Sequence, residues 1–483
     1  MNYENRAARR IEIVLMTVQA LTSVVVATSI MALAAMGQDP LTANQQQAID
    51  QINQRDVLAT LSFLAADEMR GRDTPSIELN IASAYVAARF RGAGLTGGAD
   101  GSFFQNHEIA TQAMPTAARL VVRSGGKPVQ VYGAVSAGSD RYQYSGPVTR
   151  VDSEADSDDQ QMTDVIVVSG AGVETGRDQF MFLRQTRAYQ QRGVRCVLVE
   201  VDEKSSWITA AERAQRPQLI NPRRGRLVPI VIVSKIDDSQ PIEVSVPEIQ
   251  NGQATVRNVI GVLPGSDPER SKEALIFSAH LDHIGTQPGR PDPVFNGADD
   301  DASGVTGVLE LADAFAAMNP RPKRTLIFMT FWGEERGLLG SRYFAQHPTW
   351  PLENIVANIN LEMIGRPEPG GQNKVWMTGW DQSDLGPIMA PAASRVGVEL
   401  FEHPRFSAML YRASDNFSFA TKGIVAHSFS AGSLHKDYHQ PSDEWEKIEL
   451  GHMTRVIQGL MAGVLPIAEG EATPKPAARR RNR

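Results

Sequence analysis

The stretch ALIFSAHLDH, residues 274–283, begins as an uninterrupted apolar run and ends in polar residues. A short apolar run of this kind is typical of a strand that is buried on both faces of a sheet. The same arrangement recurs in TLIFMTFWGEE (325–335), in IVANINLE (355–362) and around Ile424–Phe429. Helical patterns lie between these runs, over Val305–Met318 and Leu338–Gln346. The alternation predicts an α/β fold with a largely parallel or mixed central sheet flanked by helices.

The rest of the chain divides around this core. Residues 45–108 have helical apolar stripes, whereas residues 109–250 carry short β-rich runs separated by polar stretches. This change of hydrophobic pattern predicts a β-rich domain, 109–250, inserted between the two parts of a main domain, 45–108 and 251–468. Residues 469–483 contain five Lys and Arg and are predicted to be a basic disordered tail.

The amino terminus has the pattern of an export segment. Arg6, Arg9 and Arg10 precede an uncharged, mostly apolar run from Ile13 to Ala35. Ala-Leu-Ala at 32–34 fits the cleavage pattern of a secretory signal, while the length of the run also suits an uncleaved membrane anchor. Residues 1–35 are therefore expected to be a signal peptide or an anchor. Either one predicts a periplasmic or secreted protein, with membrane attachment through this segment in the second case.

Composition excludes several classes of function. The 483 residues include 48 Lys and Arg against 55 Asp and Glu, a net charge of −7, which argues against a nucleic-acid-binding protein. Cys196 is the single cysteine, so neither an internal disulfide nor a cysteine-based zinc site can form. A metal bound by this chain would have to use His, Asp and Glu.

Such residues gather where the apolar runs end: His280 and Asp282, Glu334 and Glu335, Glu362, and His439 after the last strand. Buried carboxylates need a cation or a donor, and Lys and Arg are scarce nearby. The donor types suit zinc, cobalt or manganese, and their number suits two metals bridged by a carboxylate. The neighbouring Glu334 and Glu335 diverge, so one can bind metal while the other acts as general base on bound water.

Three further points concern the residues around this site. One acid of Asp299, Asp300 and Asp301 could bridge the metals, although a calcium-type loop or helix-capping acids would look similar. Asp282 is expected to accept the second ring N–H of His280. Three further imidazoles, His283, His427 and His435, are expected to support the site or lie in loops rather than bind metal.

Four motifs occur in order: His280-Leu281-Asp282; Gly297–Gly304; Glu334–Ser341; and Tyr438–Asp443. Together they resemble the co-catalytic di-zinc exopeptidases, of the bacterial leucyl aminopeptidase and aminopeptidase Y type. Relatives of that family include glutamate carboxypeptidase II, glutaminyl cyclase and the non-enzymatic transferrin receptor. The resemblance covers roughly residues 50–465. It implies the zinc exopeptidase fold, and, more loosely, a protease-associated-like inserted domain.

The resemblance also implies roles for individual residues. The metal ligands would be His280, Asp300, Glu335, Glu362 and His439, with Asp300 as the bridge. Glu334 would be the general base and Asp282 the partner of His280. Glu362 departs from the family, which commonly has Asp there, and this puts the occupancy of its metal in question. Tyr411 could donate to the developing oxyanion.

The implied activity is an exported, two-zinc aminopeptidase acting on peptides. A carboxypeptidase would need a basic clamp for the substrate carboxylate, for which Arg366, Arg405 and Arg412 are candidates. A glutaminyl-cyclase-like aminoacyltransferase would work with one metal. A non-catalytic, receptor-like protein should have lost metal ligands and the general base, whereas this chain has a residue of the required type at each of those positions.

Overall fold

The computed structural model describes residues 40–477, apart from 139, 152–161, 172–175, 221–226 and 288–289. The predicted export segment, residues 1–35, and the last six residues of the tail lie outside this range, so those predictions stay predictions. Within the part of the chain that is described, every helix is too short or too polar to cross a bilayer.

The strands, in chain order, are β1 Thr96–Gly97, β2 Phe104–Ala113, β3 Val121–Ser124, β4 Lys127–Pro128, β5 Val131–Ser136, β6 Tyr142–Gly146, β7 Thr149–Val151, β8 Val165–Ser169, β9 Cys196–Glu200, β10 Gln218–Leu219, β11 Ile230–Val233, β12 Ile242–Val246, β13 Gln250–Leu263, β14 Ala274–His280, β15 Gly285–Thr286, β16 Val294–Phe295, β17 Thr325–Phe331, β18 Ile355–Leu361, β19 Lys374–Met377, β20 Glu399–Phe401 and β21 Ala426–Ser430. The α-helices are α1 Ala43–Gln51, α2 Gln54–Leu64, α3 Ile77–Gly92, α4 Gly176–Gln191, α5 Ser206–Ala214, α6 Gly304–Ala317, α7 Leu339–Gln346, α8 Leu385–Ser394, α9 Phe406–Met409, α10 Asn416–Ala420 and α11 Leu450–Ala468.

The central sheet is mixed. Its order is β10-β2-β13-β17-β14-β18-β21-β19-β20, with β1 paired to β13. The four strands β17, β14, β18 and β21 are parallel to one another. Strand β13 runs antiparallel to both β17 and β2, and β19 runs antiparallel to β21. The α/β prediction is therefore confirmed, with parallel pairing confined mainly to the middle of the sheet. The parallel strands are the apolar runs identified in the sequence.

Strand β14 shows why these runs are apolar on both faces. Leu275 and Phe277 point into a core that includes α6 and α11, while Ile276 points into a second core with Phe344 of α7 and Phe419 of α10. All seven residues of β14 are buried. A strand covered by helices on both sides must be apolar at every position, and only its carboxyl end can carry polar groups into a cleft.

Residues between β2 and β13 form two smaller sheets, β5-β11-β9-β8-β7 and β4-β3-β12-β6. One apolar core, in which Cys196 is buried, contains residues of both sheets, and a second core packs the five-stranded sheet against α4 and α5. Strand β2 extends to Ala113 and β10 pairs with it, so the main sheet reaches past the boundary predicted at 108/109 and includes a strand from within 109–250. The rest of the predicted division into a main domain and an insertion stays a prediction.

Candidate metal centre

The carboxyl ends of the parallel strands bring the polar residues together. His280 ends β14, Glu334 and Glu335 follow β17, and Glu362 follows β18. His439 lies in the loop after β21. Because these four strands are neighbours and parallel, their carboxyl ends meet at one edge of the sheet. All five predicted ligands lie there.

Their side chains fall into two groups. Group A consists of His283, Asp300, Glu335 and His439, and group B of His280, Asp300 and Glu362. Within each group, one donor atom per residue lies within 4.8 Å of the others. Asp300 belongs to both: its Oδ1 is 3.1 Å from His280 Nε2, and its Oδ2 is 3.1 Å from His439 Nε2. One carboxylate thus faces two groups with its two oxygens, which is the arrangement of a bridging ligand.

The donors fit zinc in type and spacing. Ligands about 2.0–2.1 Å from a tetrahedral zinc are roughly 3.3 Å from one another. His280 Nε2 and Glu362 Oε1 are 3.3 Å apart, and His439 Nε2 and Glu335 Oε1 are 3.2 Å apart. Asp300 Oδ2 and Glu335 Oε1 are buried and have no hydrogen-bond partner among the described residues. Unpaired buried carboxylate oxygens are costly unless a cation binds them.

The acids on either side of Asp300 hold the backbone. Asp299 Oδ1 accepts the N–H of Gly365 at 2.7 Å. Asp301 Oδ1 accepts the N–H groups of Gly304 and Met363 at 3.0 and 3.1 Å. Of the three acids among which the sequence left the choice open, only Asp300 therefore has its carboxylate in the donor groups.

Asp443 holds the same loop through two backbone hydrogen bonds. Its Oδ2 accepts the N–H groups of Asp299 and Asp300 at 3.0 and 3.2 Å, and burial raises its pKa to about 7. This residue closes the last sequence motif, where its spacing from His439 gave no sign of its role. It fixes the position of the loop that presents Asp300.

The expected contact between the Asp282 carboxylate and His280 is wrong. His280 Nδ1 is 2.9 Å from the backbone oxygen of Asp282 but 3.9 Å from its Oδ1. The Asp282 carboxylate accepts instead the hydroxyl of Thr74 and the backbone N–H of Glu334, each at 3.0 Å. Asp282 thus positions Glu334, and its main chain orients the imidazole.

Glu362 is held by its second oxygen. Its Oε1 faces His280, while Oε2 accepts the Ser414 hydroxyl and lies 3.5 Å from Asn360 Nδ2. Asn360 Nδ2 also contacts Ser414 Oγ at 3.1 Å, and both residues are buried. The longer side chain, where the family commonly has Asp, is accommodated by these two partners.

A buried guanidinium ties an amino-terminal segment to the site. Arg72 is 1% exposed and donates to the carbonyl oxygens of Leu64, Leu281, Asn296 and Gly297. Its acceptors precede Asp282 and Asp300 in the chain, so the guanidinium joins both ligand-bearing loops. Burial lowers its pKa to about 10, and neighbouring carboxylates, Asp282 first, oppose that shift.

The charges in the centre are strongly coupled. Burial raises the pKa of Glu334 well above its usual range, and the charges of Glu362 and Asp415 add to this effect. Burial alone would lower the pKa of His280, but the carboxylates of Glu362 and Glu334 raise it well above its ordinary value. The charges that act on Glu334 thus include those of two members of group B, His280 and Glu362. A site with this excess of carboxylates attracts cations.

Tyr411, the predicted oxyanion donor, has no recorded contact with either donor group among the described residues. Tyr411 packs against Gly379 and His427, and its pKa is raised by burial and by Asp381, which belongs to neither donor group. Tyr438, which sequence reasoning missed, stacks on His439 with ring centroids 3.9 Å apart. Burial and the charges of four site carboxylates, Asp300, Glu335, Glu362 and Glu334, raise its pKa. Its place directly before His439 was the available signal.

Of the other imidazoles, only His283 enters a donor group. His427 Nε2 is 2.7 Å from Ser383 Oγ, and its Nδ1 is 2.7 Å from the Thr378 oxygen. His435 Nε2 is 3.1 Å from Asp299 Oδ2. His427 and His435 thus support neighbouring loops, as expected.

The residues of 109–250 reach the rim of the centre. Arg213, in α5, donates to the Ile284 oxygen at 3.3 Å, and Arg216 donates to Thr286 Oγ1 at 2.8 Å. Asp73 lies 3.8 Å from Arg213 and also pairs with Arg336. These contacts join the insertion to loops that carry His283 and Glu335.

Comparison with known proteins shows which family the chain resembles. The model of peptidase family M28 matches residues 258–464, which are less than half of the chain. This part of the chain is therefore similar to peptidase family M28. A probable zinc metalloprotease of Pyrenophora teres f. teres is 40% identical over 111 residues, which are 23% of each chain. Leupeptin-inactivating enzyme 1 of Streptomyces exfoliatus is 34% identical over 118 residues, 24% of each. The matches thus span about a quarter of the length of these curated relatives.

Solved structures share the fold over nearly the whole chain. A zinc aminopeptidase from Bacillus subtilis is 18% identical, with a TM-score of 0.54, over 87% of this chain and 97% of that one. An aminopeptidase from Aneurinibacillus sp. strain AM-1 is 18% identical, with a TM-score of 0.52, over 90% and 97%. The fold of this chain, including the part before residue 258, is thus similar to the fold of these two solved structures.

Proposed function

We propose that this protein is an exported aminopeptidase that uses two zinc ions to hydrolyse the amino-terminal peptide bond of peptides. The observation that carries the proposal is Asp300, whose two oxygens face two separate donor groups. Groups A and B would each hold one ion. When bound, the ions supply Lewis-acid polarisation and lower the pKa of a water molecule.

The residues around the ions would handle protons and charge. Glu334, positioned through its N–H by Asp282, accepts a proton from the attacking water and returns it to the leaving amine. Tyr438 takes the place predicted for Tyr411 as the donor to the developing oxyanion.

Charge favours an amino terminus as the bound end of the substrate. The charge of Glu362 contributes to the raised pKa of both Glu334 and Asp415, so these carboxyl groups lie close together, and this acidic cluster complements an ammonium group. The arginines considered as a carboxylate clamp are engaged elsewhere. Arg366 pairs with Asp437 at 2.8 Å, and the guanidinium groups of Arg405 and Arg412 lie over phenyl rings.

The test is a panel of aminoacyl-nitroanilides, assayed before chelation, after it and after zinc is returned. Hydrolysis is expected to require metal, to persist with carboxyl-blocked peptides and to fail with amino-blocked ones. The opposite blocking pattern would make the protein a carboxypeptidase.

Glu334→Gln should lower kcat by at least about 100-fold while both metals stay bound, since general base catalysis typically contributes 10²–10⁴-fold. The exposed Glu353→Gln serves as a matched control and should retain full activity. Wild-type turnover by Glu334→Gln would contradict the base assignment.

Export is a separate part of the proposal and rests on residues 1–35. Mass spectrometry of the mature protein should find a new amino terminus after Ala34 or close to it, if the signal is cleaved. Recovery of the uncleaved chain in the membrane fraction would identify the anchor form, and recovery of the uncleaved chain in the cytoplasm would contradict export.

A further inference from the structure

His283 lies in group A without an ordinary role there. Its ring is fully buried, and Nδ1 is 2.8 Å from Glu335 Oε1. Although the two groups are in ion-pair contact, neither Nδ1 nor the facing Glu335 oxygen has a hydrogen-bond partner among the described residues. A buried imidazole nitrogen without a partner costs free energy, and its position so close to an equally unpaired oxygen needs a common partner.

The distances in group A are those between ligands of one ion. His283 Nδ1 is 2.8 Å from Glu335 Oε1 and 3.8 Å from Asp300 Oδ2. His439 Nε2 is 3.2 and 3.1 Å from the same two oxygens. These values scatter around the edge of roughly 3.3 Å expected for a zinc tetrahedron.

The packing around His283 keeps the ring in this place. Gly297 has φ +57°, and a Cβ on it would lie 2.5 Å from His283 Cγ. The bare backbone of Gly297 therefore lets the imidazole ring lie directly against it. Arg72 holds the same backbone, because its Nη2 donates to the Gly297 oxygen at 3.1 Å.

We infer that His283 is a fourth protein ligand of the group A metal, which makes the two metal sites chemically unequal. The inference rests on the two-metal centre proposed above. Group A then offers two imidazoles and two carboxylates, a complete tetrahedral set that resembles a closed structural site. Group B offers one imidazole and two carboxylates, leaves a position open for water, and includes two residues whose charges act on Glu334.

Two consequences follow from this inequality. The first zinc added to metal-free protein should enter group A, because four ligands bind more tightly than three of the same kinds. The metal in group B should exchange more readily, and it is the one that cobalt or manganese can replace under mild chelation.

The decisive experiment uses the unmodified full chain. X-ray absorption spectra of metal-free protein loaded with one equivalent of zinc should show two imidazole ligands per zinc, and the average should fall to 1.5 with two equivalents if each group binds as in its donor set. A single imidazole per zinc at one equivalent would overturn the inference, because either group without His283 has only one.

Variants supply a second, independent measurement. His283→Ala and the less disruptive His283→Asn should weaken the first zinc, measured by competition with a chromophoric chelator, by at least about tenfold, and leave the second within about threefold. His347→Ala is the matched control, since that imidazole is exposed, contacts the Tyr343 oxygen and belongs to neither group, and it should leave the zinc affinities unchanged. Unchanged affinity in a folded His283 variant would also overturn the inference.

These outcomes are separate from the proposed activity. Wild-type protein that binds two zinc ions, the first through two imidazoles, but hydrolyses no amino-terminal bond would refute the aminopeptidase proposal and leave the role of His283 intact. Active protein whose first zinc has one imidazole would do the reverse.

Discussion

Glu362→Asp tests whether the reach of this side chain is set by its surroundings. In the structure Glu362 Oε1 is 3.3 Å from His280 Nε2, which matches the edge of a zinc tetrahedron. Removing one methylene withdraws the carboxylate by about 1.3 Å, judged from a C–C bond of roughly 1.5 Å. The separation then grows to about 4.6 Å, and the hydrogen bond from Ser414 is lost with it.

The expected loss follows from those contacts. A hydrogen bond to a charged group contributes about 1.5–3 kcal/mol, which corresponds to a change in Kd of about 10- to 100-fold. Glu362→Asp should therefore bind the group B zinc at least about tenfold more weakly, although Asp is the usual residue of the family. The group A zinc should stay within about threefold of wild type, because Glu362 is not one of its donors.

Competition with a chromophoric zinc chelator measures both constants in one titration. Glu353→Asp, an exposed change of the same kind just before β18, is the control for shortening a glutamate. Wild-type affinity for both zinc ions in Glu362→Asp would refute the reasoning, since it would show that the backbone after β18 adjusts freely to the shorter side chain.

Two further predictions concern stability. Arg72→Met removes four donors from buried carbonyl oxygens and should lower the free energy of unfolding by about 4 kcal/mol or more in urea titrations; a loss under about 1 kcal/mol would contradict its structural role. Burial raises the pKa of Glu310, which pairs with Arg89 at 3.3 Å, from 4.5 to about 7. The folded protein thus keeps this proton to higher pH than the unfolded chain, and stability should fall by about 3 kcal/mol as the pH rises from 4.5 to 7. Glu310→Gln, compared with wild type in chelator at each pH, should remove that part of the slope, and an unaltered slope would count against the assignment.

The fold was largely predictable because the parallel strands are buried on both faces. Such strands read as apolar runs, and the residues that follow them must meet at one edge, so His280, Glu335 and Glu362 could be placed together before any coordinates. The antiparallel strands β2 and β13 were less visible, since exposed positions interrupt their pattern.

The remaining differences concern where side chains point rather than which segments of the chain form the site. His-x-Asp spacing brings Asp282 near His280, but only the backbone path after β14 decides that its carboxylate turns to Glu334. The choice between Tyr411 and Tyr438 likewise depends on loop geometry. His283 was expected to support the site or lie in a loop, and its place in group A depends on the path of the backbone after the end of β14.

The Arg72 contacts also constrain how this chain can be synthesised. Its bonds to Leu281, Asn296 and Gly297 join residues 209 to 225 positions apart, so the guanidinium has no acceptors there until the ribosome has made more than half of the protein. Loops closed over such separations form late in folding. The segment around Arg72 is made early and therefore completes these contacts only after the insertion and β14 have been made. A nascent chain crossing a membrane amino terminus first would pass through as a protein without a metal centre, and it would take up its ions only on the far side.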